Sequence, residues 1–212
     1  AGRIEMTGGD ERFVQLLDDF FGYGADAVAQ PGVRPGKAEM AQGYALGRFE
    51  GLNNEPDMEA PWAYYYAGRP DRTAEVVHAI VTQQFGTGRG GLPGNDDSGG
   101  LSSWFVWAAL GLFPVAGQNL FLIHPPSFRH ASLPMANGTL NISTSGFVPP
   151  SHGGPVQYIQ AVTFNGVSVD ASYLDGSALH GGGLLHIALG PEPGDWGRAH
   201  RPPSWPTPTQ EN

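Results

Sequence analysis

Acidic and amide side chains gather at two places in this sequence. One is Gly51-Leu52-Asn53-Asn54-Glu55-Pro56-Asp57-Met58-Glu59, and the other is Gly90-Gly91-Leu92-Pro93-Gly94-Asn95-Asp96-Asp97-Ser98-Gly99-Gly100. Both stand before apolar helical patterns, so each reads as a loop opening into a helix, where free backbone N–H groups favour negative charge. One reading makes Asp57, and Asp97 or Ser98, helix caps. The other reading is chemical. Glycines on both sides of the second loop permit unusual backbone angles or the close approach of a ligand. Two adjacent acids and an asparagine precede an aromatic helix, with only Arg89 nearby to neutralise them. Acids so placed need a cation, a hydrogen-bond network or a raised pKa. Oxygen donors from Asn, Asp and Glu, without His or Cys, suit a hard cation such as calcium. The spacing is not that of an EF-hand loop.

Other chemistries lack their residues. Cysteine is absent, which removes disulfides, thiolate metal sites and a cysteine nucleophile. There is no G-x-S-x-G elbow, no Walker sequence and no H-E-x-x-H, and Gly86-x-Gly88-x-Gly90 does not follow a strand. The seven histidines are scattered without ligand-spaced pairs. Trp62, Tyr64, Tyr65 and Tyr66 form an aromatic run that packs a core in one reading and stacks on a sugar ring in the other. Asn137-Gly-Thr and Asn141-Ile-Ser match glycosylation sequons in hairpin sequence.

The elements that must carry these loops change character half-way along the chain. Phe13, Leu16, Leu17, Phe20 and Phe21 share one helix face that Gly22 and Gly24 end. A turn-rich stretch over residues 25–50 has room for a short helix over Ala38–Phe49. Further helices are expected over Asp57–Ala67, from Pro70 to Phe85, and from Gly100 to Leu110, the last apolar nearly all round and so suited to the interior of a larger body. After Pro114 the period becomes that of strands. Candidates are Leu120–Ile123, Ala131–Leu133, Thr139–Thr144, Val156–Phe164, Val167–Val169 and Leu184–Leu189, with Asn137-Gly138 and Asn165-Gly166 as hairpin turns. The expected organisation is a helical segment over 1–116, an antiparallel β-rich subdomain over 117–198 and a Pro-rich flexible tail over 199–212. Helices followed by strands make an α+β chain.

The chain has 212 residues, a net charge of −9 and only 15% charged residues. Gly (32) and Pro (19) make up about a quarter of it, yet its 11 Phe, 7 Tyr and 5 Trp argue for a loop-rich globular fold rather than disorder. The acidic balance speaks against nucleic acid as a partner. No apolar run is long enough for a membrane span.

Taken with their order and spacing, several segments resemble the C-terminal part of the family 92 glycoside hydrolases, calcium-dependent exo-α-mannosidases. They are Gly51-Leu-Asn-Asn-Glu-Pro56, Tyr66-Ala-Gly-Arg-Pro70, Gly91-Leu-Pro-Gly-Asn-Asp-Asp-Ser-Gly99, Ser102-Ser-Trp-Phe-Val106 through Ala109-Leu-Gly-Leu-Phe-Pro114, Gln157-Tyr-Ile-Gln160, Phe164-Asn-Gly166 and Gly190-Pro-Glu-Pro193. The resemblance implies that residues 1–116 are the last helices of an (α/α)6 toroid whose other helices lie upstream in the same polypeptide, and that the strands trail it. It implies an inverting reaction on terminal α-mannosides of glycans, with Asp97 as general base and Asn95 where many members carry a supporting acid. Asn54, Glu55 and Asp97 fall at the calcium site. Asp96, Trp62 and Glu59 are the candidates for the substrate side, with Asp96 able to turn into the site or away from it. Where many members have two histidines after Asn-Glu-Pro, this chain has Asp57-Met58-Glu59, which hints at a different subsite. The family's general acid lies upstream of the matched region, so the chain alone is expected to be inactive, and family habit places the protein outside the cell or in its envelope. The alternative is a non-catalytic carbohydrate-binding or accessory module with structural calcium.

Overall fold

The computed structural model describes residues 2–21, 52 and 55–204. Helices come first: α1 (Gly2–Thr7), α2 (Asp10–Phe20), a 3-10 turn (Glu55–Asp57), a 3-10 helix (Ala60–Ala67), α3 (Pro70–Gln83) and α4 (Gly100–Leu110). Strands β1 (Leu112–Pro114), β2 (Leu120–Ile123), β3 (His130–Met135), β4 (Gly138–Ser145), β5 (Tyr158–Phe164), β6 (Val167–Ser168) and β7 (Tyr173–Asp175) follow, then α5 (Gly176–Leu179) and β8 (Gly183–Gly190). The helix expected over Ala38–Phe49 and the end of the Pro-rich stretch, 205–212, lie outside the described residues.

The segment Ala60–Ala67 is helical but wound as a 3-10 helix, with Gly68 N–H donating to Tyr65 O at 3.1 Å. Three residues per turn align side chains in rows. The rows 61-64-67 and 62-65 are buried, whereas 60, 63 and 66 form the half-exposed row. Trp62 stacks on Phe113 with ring centroids 4.2 Å apart, and Trp104 tilts against it at 5.9 Å. The aromatic run thus takes the core-packing role, with Tyr66 on the outer row. Helix α4 buries Leu101, Trp104, Ala108 and Ala109, while Val106 on its far side is 53% exposed.

Two apolar cores meet at a short sheet. The helical core includes Trp62, Tyr64, Tyr65, Leu101, Trp104, Leu120 and Leu122; the sheet core includes Leu112, Ile123, Leu140, Ile142, Val162, Leu185 and Ile187. Alternation along β2 sends Leu120 and Leu122 to the first and Phe121 and Ile123 to the second, so β1-β2-β7 is the seam. Tyr65 OH donates to Ile123 O across it, and Ser127 N–H donates to Ala109 O at 2.8 Å.

The larger sheet runs β3-β4-β8-β5-β6. Asn165-Gly166 forms the tight β5–β6 turn with φ of 51° and 80°, the pattern of a type I′ hairpin. The sheet is mixed rather than wholly antiparallel, because β4 and β8 run parallel. A connection through β5, β6, β7 and α5 brings the chain back to insert β8 between β4 and β5.

Charged groups tie the layers together. Arg72 on α3 is buried with Glu75 at 2.9 Å and Asp18 of α2 at 3.5 Å; Tyr64 donates to Asp18 at 2.8 Å and Tyr158 of β5 to Glu75 at 2.9 Å. Beyond β8, Trp196 Nε1 donates to Val169 O, Ser172 N–H to His200 O at 3.0 Å, and Arg201 pairs with Asp10 at 2.8 Å. The part of the Pro-rich stretch within the described residues is therefore held against the body.

Candidate active site

The loop before α4 is shaped by its own hydrogen bonds. Gly86 N–H donates to Gly91 O at 2.9 Å and Gly91 N–H to Gly88 O at 3.2 Å, which closes the first part. A Cβ on Gly91 would stand 2.2 Å from Gly86 O, so no larger residue fits there. Further on, Asp97, Ser98 and Gly99 have φ of 37°, 65° and 89°, three left-handed residues in succession. Two of them carry side chains, and each such residue costs about 1–2 kcal/mol. Strain of this kind persists only where its surroundings over-determine it, and it clusters at functional sites.

What holds the turn is Asp96. Ser102 N–H donates to its Oδ1 and Ser102 Oγ to its Oδ2, both at 2.8 Å, and Gly100 N–H donates to Asp96 O at 2.6 Å. These bonds from Ser102, the amide first and the hydroxyl second, hold the Asp96 carboxyl below the usual carboxylate range. Capping of α4 therefore falls to Asp96, not to Asp97 or Ser98. Asp97 and Asn95 are left exposed on the turn, and the Asp97 carboxylate has no hydrogen-bond or ion-pair partner among the described residues.

The Glu55–Glu59 turn is joined to the same helix end. Trp104 Nε1 of α4 donates to Met58 O at 2.9 Å, across 46 residues of chain. Gly100 faces the Met58 methyl, which a Cβ would meet at 3.1 Å. Two loops distant in sequence thus open beside the N-terminus of α4. Glu55 is exposed, and Asn54 lies outside the described residues. Glu59 and Trp62 line a cleft of about 550 Å3 between the α1–α2 pair and the 3-10 helix, whose other walls include Arg3, Phe13, Tyr66 and Phe113. Trp62 reaches it from a buried position, 2% exposed. Burial, together with the Glu59 charge, raises the pKa of Tyr66 and keeps its phenol neutral.

The donors at the two loops are carboxylate oxygens, the kind a hard cation takes. Among the described residues no three His, Asp or Glu side chains gather as a metal site. A cation there would need further oxygen donors beside Glu55 and Asp97. Sequence reasoning had the two loops. It missed Ser102 and the Met58–Trp104 tie, for which a serine at the third position of a helix behind Gly99-Gly100 was the available signal.

Known proteins resemble this chain. The model of the glycosyl hydrolase family 92 catalytic domain matches residues 1–191. A protein of Arthroderma benhamiae described as an uncharacterized secreted glycosidase is 36% identical over 157 residues, which is 72% of this chain and 20% of that protein. The structure of a family 92 α-mannosidase of Bacteroides thetaiotaomicron in complex with mannoimidazole superposes with a TM-score of 0.75 at 26% identity, covering 93% of this chain and 25% of the other. A family 92 inverting mannosidase of the same organism gives 0.73 at 26% identity, covering 94% and 27%. The chain spans about a fifth of the length of the curated relative and about a quarter of the solved ones. A match of the family model over nine-tenths of its residues makes this chain a member of glycosyl hydrolase family 92.

Proposed function

We propose that this chain supplies the base-bearing and metal-binding loops of an inverting, calcium-dependent exo-α-mannosidase, whose remaining catalytic domain lies upstream in the same polypeptide. The observation that carries this reading is the convergence of the Glu55–Glu59 turn and the 95–99 loop at one helix end, with Asp97 on a strained turn and without a partner among the described residues. Solved relatives bearing the name mannosidase, one of them inverting, support the substrate and stereochemistry. The secreted relative supports a location outside the cell or in its envelope.

In this reading a water molecule is hydrogen-bonded to Asp97. As its oxygen attacks the anomeric carbon from the face opposite the leaving group, its proton passes to the Asp97 carboxylate. A general acid from the upstream part gives a proton to the departing glycosidic oxygen, so one turnover leaves Asp97 protonated and the acid deprotonated. Asn95, beside the base, orients the water through its amide. Glu59 meets the sugar from the cleft, while Trp62 stays packed against Phe113 and Trp104 behind it. Asn54, Glu55 and Asp97 would hold calcium, which when bound grips neighbouring mannose hydroxyls and favours ring distortion.

The test is hydrolysis of an α-mannoside by the full polypeptide, with the product anomer followed by NMR. β-Mannose is expected first, activity is expected to fall on chelation and return with calcium, and Asp97→Asn is expected to lose about two to four powers of ten in rate. The 212-residue chain alone is expected to be inactive. Should the full polypeptide hydrolyse nothing while the chain binds mannan equally well as Asp97→Asn, the protein is a carbohydrate-binding module instead.

A further inference from the structure

We propose that Asp96 is a positioning residue for the reaction, acting with Ser102 as a clasp that fixes the left-handed turn on which Asp97 stands. The inference rests on the reading of Asp97 as the base. It goes beyond that reading by taking Asp96, a candidate for the substrate side, away from the substrate, because both of its carboxylate oxygens are engaged by Ser102 at 2.8 Å.

An ordinary cap lies next to the helix it serves. Here the acceptor is six residues upstream of its donor, so the bonds close a ring and residues 97–101 form its arc. The Gly100 N–H bond to Asp96 O at 2.6 Å tightens the same ring from within, and Ser103 N–H to Gly99 O at 2.8 Å starts the helix behind it. Asp97 and Ser98 sit in the arc at φ of 37° and 65°, a conformation that unconstrained residues with side chains leave. Opening the ring releases Asp97 toward the extended region and moves its carboxylate away from the attacking water. A displacement of about 1 Å at a reacting group costs about a hundredfold in rate.

The experiment uses the full polypeptide and compares Asp96→Ala, Ser102→Ala, their double variant, Ser102→Thr and Asp97→Asn. The clasp predicts that Asp96→Ala and Ser102→Ala each lower kcat about ten- to a hundredfold at unchanged KM, with only the small fall in melting temperature that loss of a helix cap brings. It predicts that the double variant is no worse than the worse single one, and that Ser102→Thr, which keeps the hydroxyl, restores most of the rate. A rise in KM at constant kcat for Asp96→Ala overturns the proposal, since it would put Asp96 on the substrate. So does full activity of Ser102→Ala beside an inactive Asp96→Ala, or a rate loss matched by a loss of folded protein. If Asp97→Asn is inactive and Asp96→Ala is not, the base reading stands and the clasp falls. If Asp97→Asn is fully active, both fall.

Discussion

The guanidinium of Arg72 lies between two buried carboxylates, Asp18 and Glu75. Burial raises the pKa of Asp18, and the nearby Arg72 charge and the Tyr64 hydrogen bond oppose that rise. Replacing Arg72 by methionine keeps the volume and strands two like charges in the interior. The expected loss is about 3–5 kcal/mol, read as a shift in the urea midpoint at neutral pH. Without Arg72, Asp18 takes up a proton at higher pH in the folded state than in the unfolded one. Protonation then relieves the charge, and the loss shrinks on acidification. A loss of under about 1 kcal/mol would mean that water reaches the pair. None of this was legible in the sequence, where Asp18 and Glu75 look like solvent-facing acids on amphipathic helices. Whether an acid on a helix is wet depends on what another element lays over it. The acids at 95–97 could be found because glycines and the lack of cations mark them, but which of them faces the helix depends on three backbone angles that composition does not fix.

At the scale of elements, α4 is the part that holds the candidate site together, with its first turn clasped by Asp96 and its Trp104 bonded to the turn that carries Glu55. Trp104→Phe removes the bond to Met58 O while retaining a ring against Phe85, whose centroid is 5.9 Å from that of Trp104. The expected cost is about 1 kcal/mol in stability. In the full polypeptide a loss of calcium affinity is also expected, measured by calorimetry; an unchanged affinity would show that the two loops hold their places independently. Helix α4 and strand β2 follow from the sequence with their observed limits, because apolar runs bounded by Gly (for α4) or by the polar Asn119 and His124 (for β2) leave little choice of register. The stretch 60–67 was read as helical, but not as 3-10, since Trp62, Tyr64 and Tyr65 fall on one side at either pitch. Strands β1 and β7, three residues each, are too short to show a period. The parallel pairing of β8 is a choice of distant neighbour that no local pattern encodes.

For the molecule as a whole, the seam between the two cores is a place sensitive to acid. His124, at the end of β2, is buried edge-on to Trp62 with its ring centroid 5.4 Å away, and its Nδ1 has no hydrogen-bond partner among the described residues. Burial, helped by the neighbouring His78, lowers its pKa from 6.5 to about 3. Between those values the unfolded chain holds a proton that the folded one refuses. Stability therefore falls as pH drops below about 6.5, by about 1.4 kcal/mol per pH unit. His124→Phe is expected to flatten this slope in denaturation curves taken across the window. A slope unchanged in that variant would assign the acid sensitivity to other groups. Residues 194–201 bridge both cores through Trp196, Arg198, His200 and Arg201, so deleting them is expected to lower the melting temperature and to loosen α2 first, where Asp10 loses its partner.

The order β3-β4-β8-β5-β6 also has a consequence in time. A ribosome delivers β3, β4, β5 and β6 before the strand that belongs in their middle, so two hairpins emerge with their inner edges bare and only β8 can join them. Until Gly190 has cleared the exit tunnel, the nascent chain offers two unpaired strand edges to any neighbour on the same message. A delay after β4 has emerged and before β8 has emerged would prolong that interval, and a delay before β4 emerges would not.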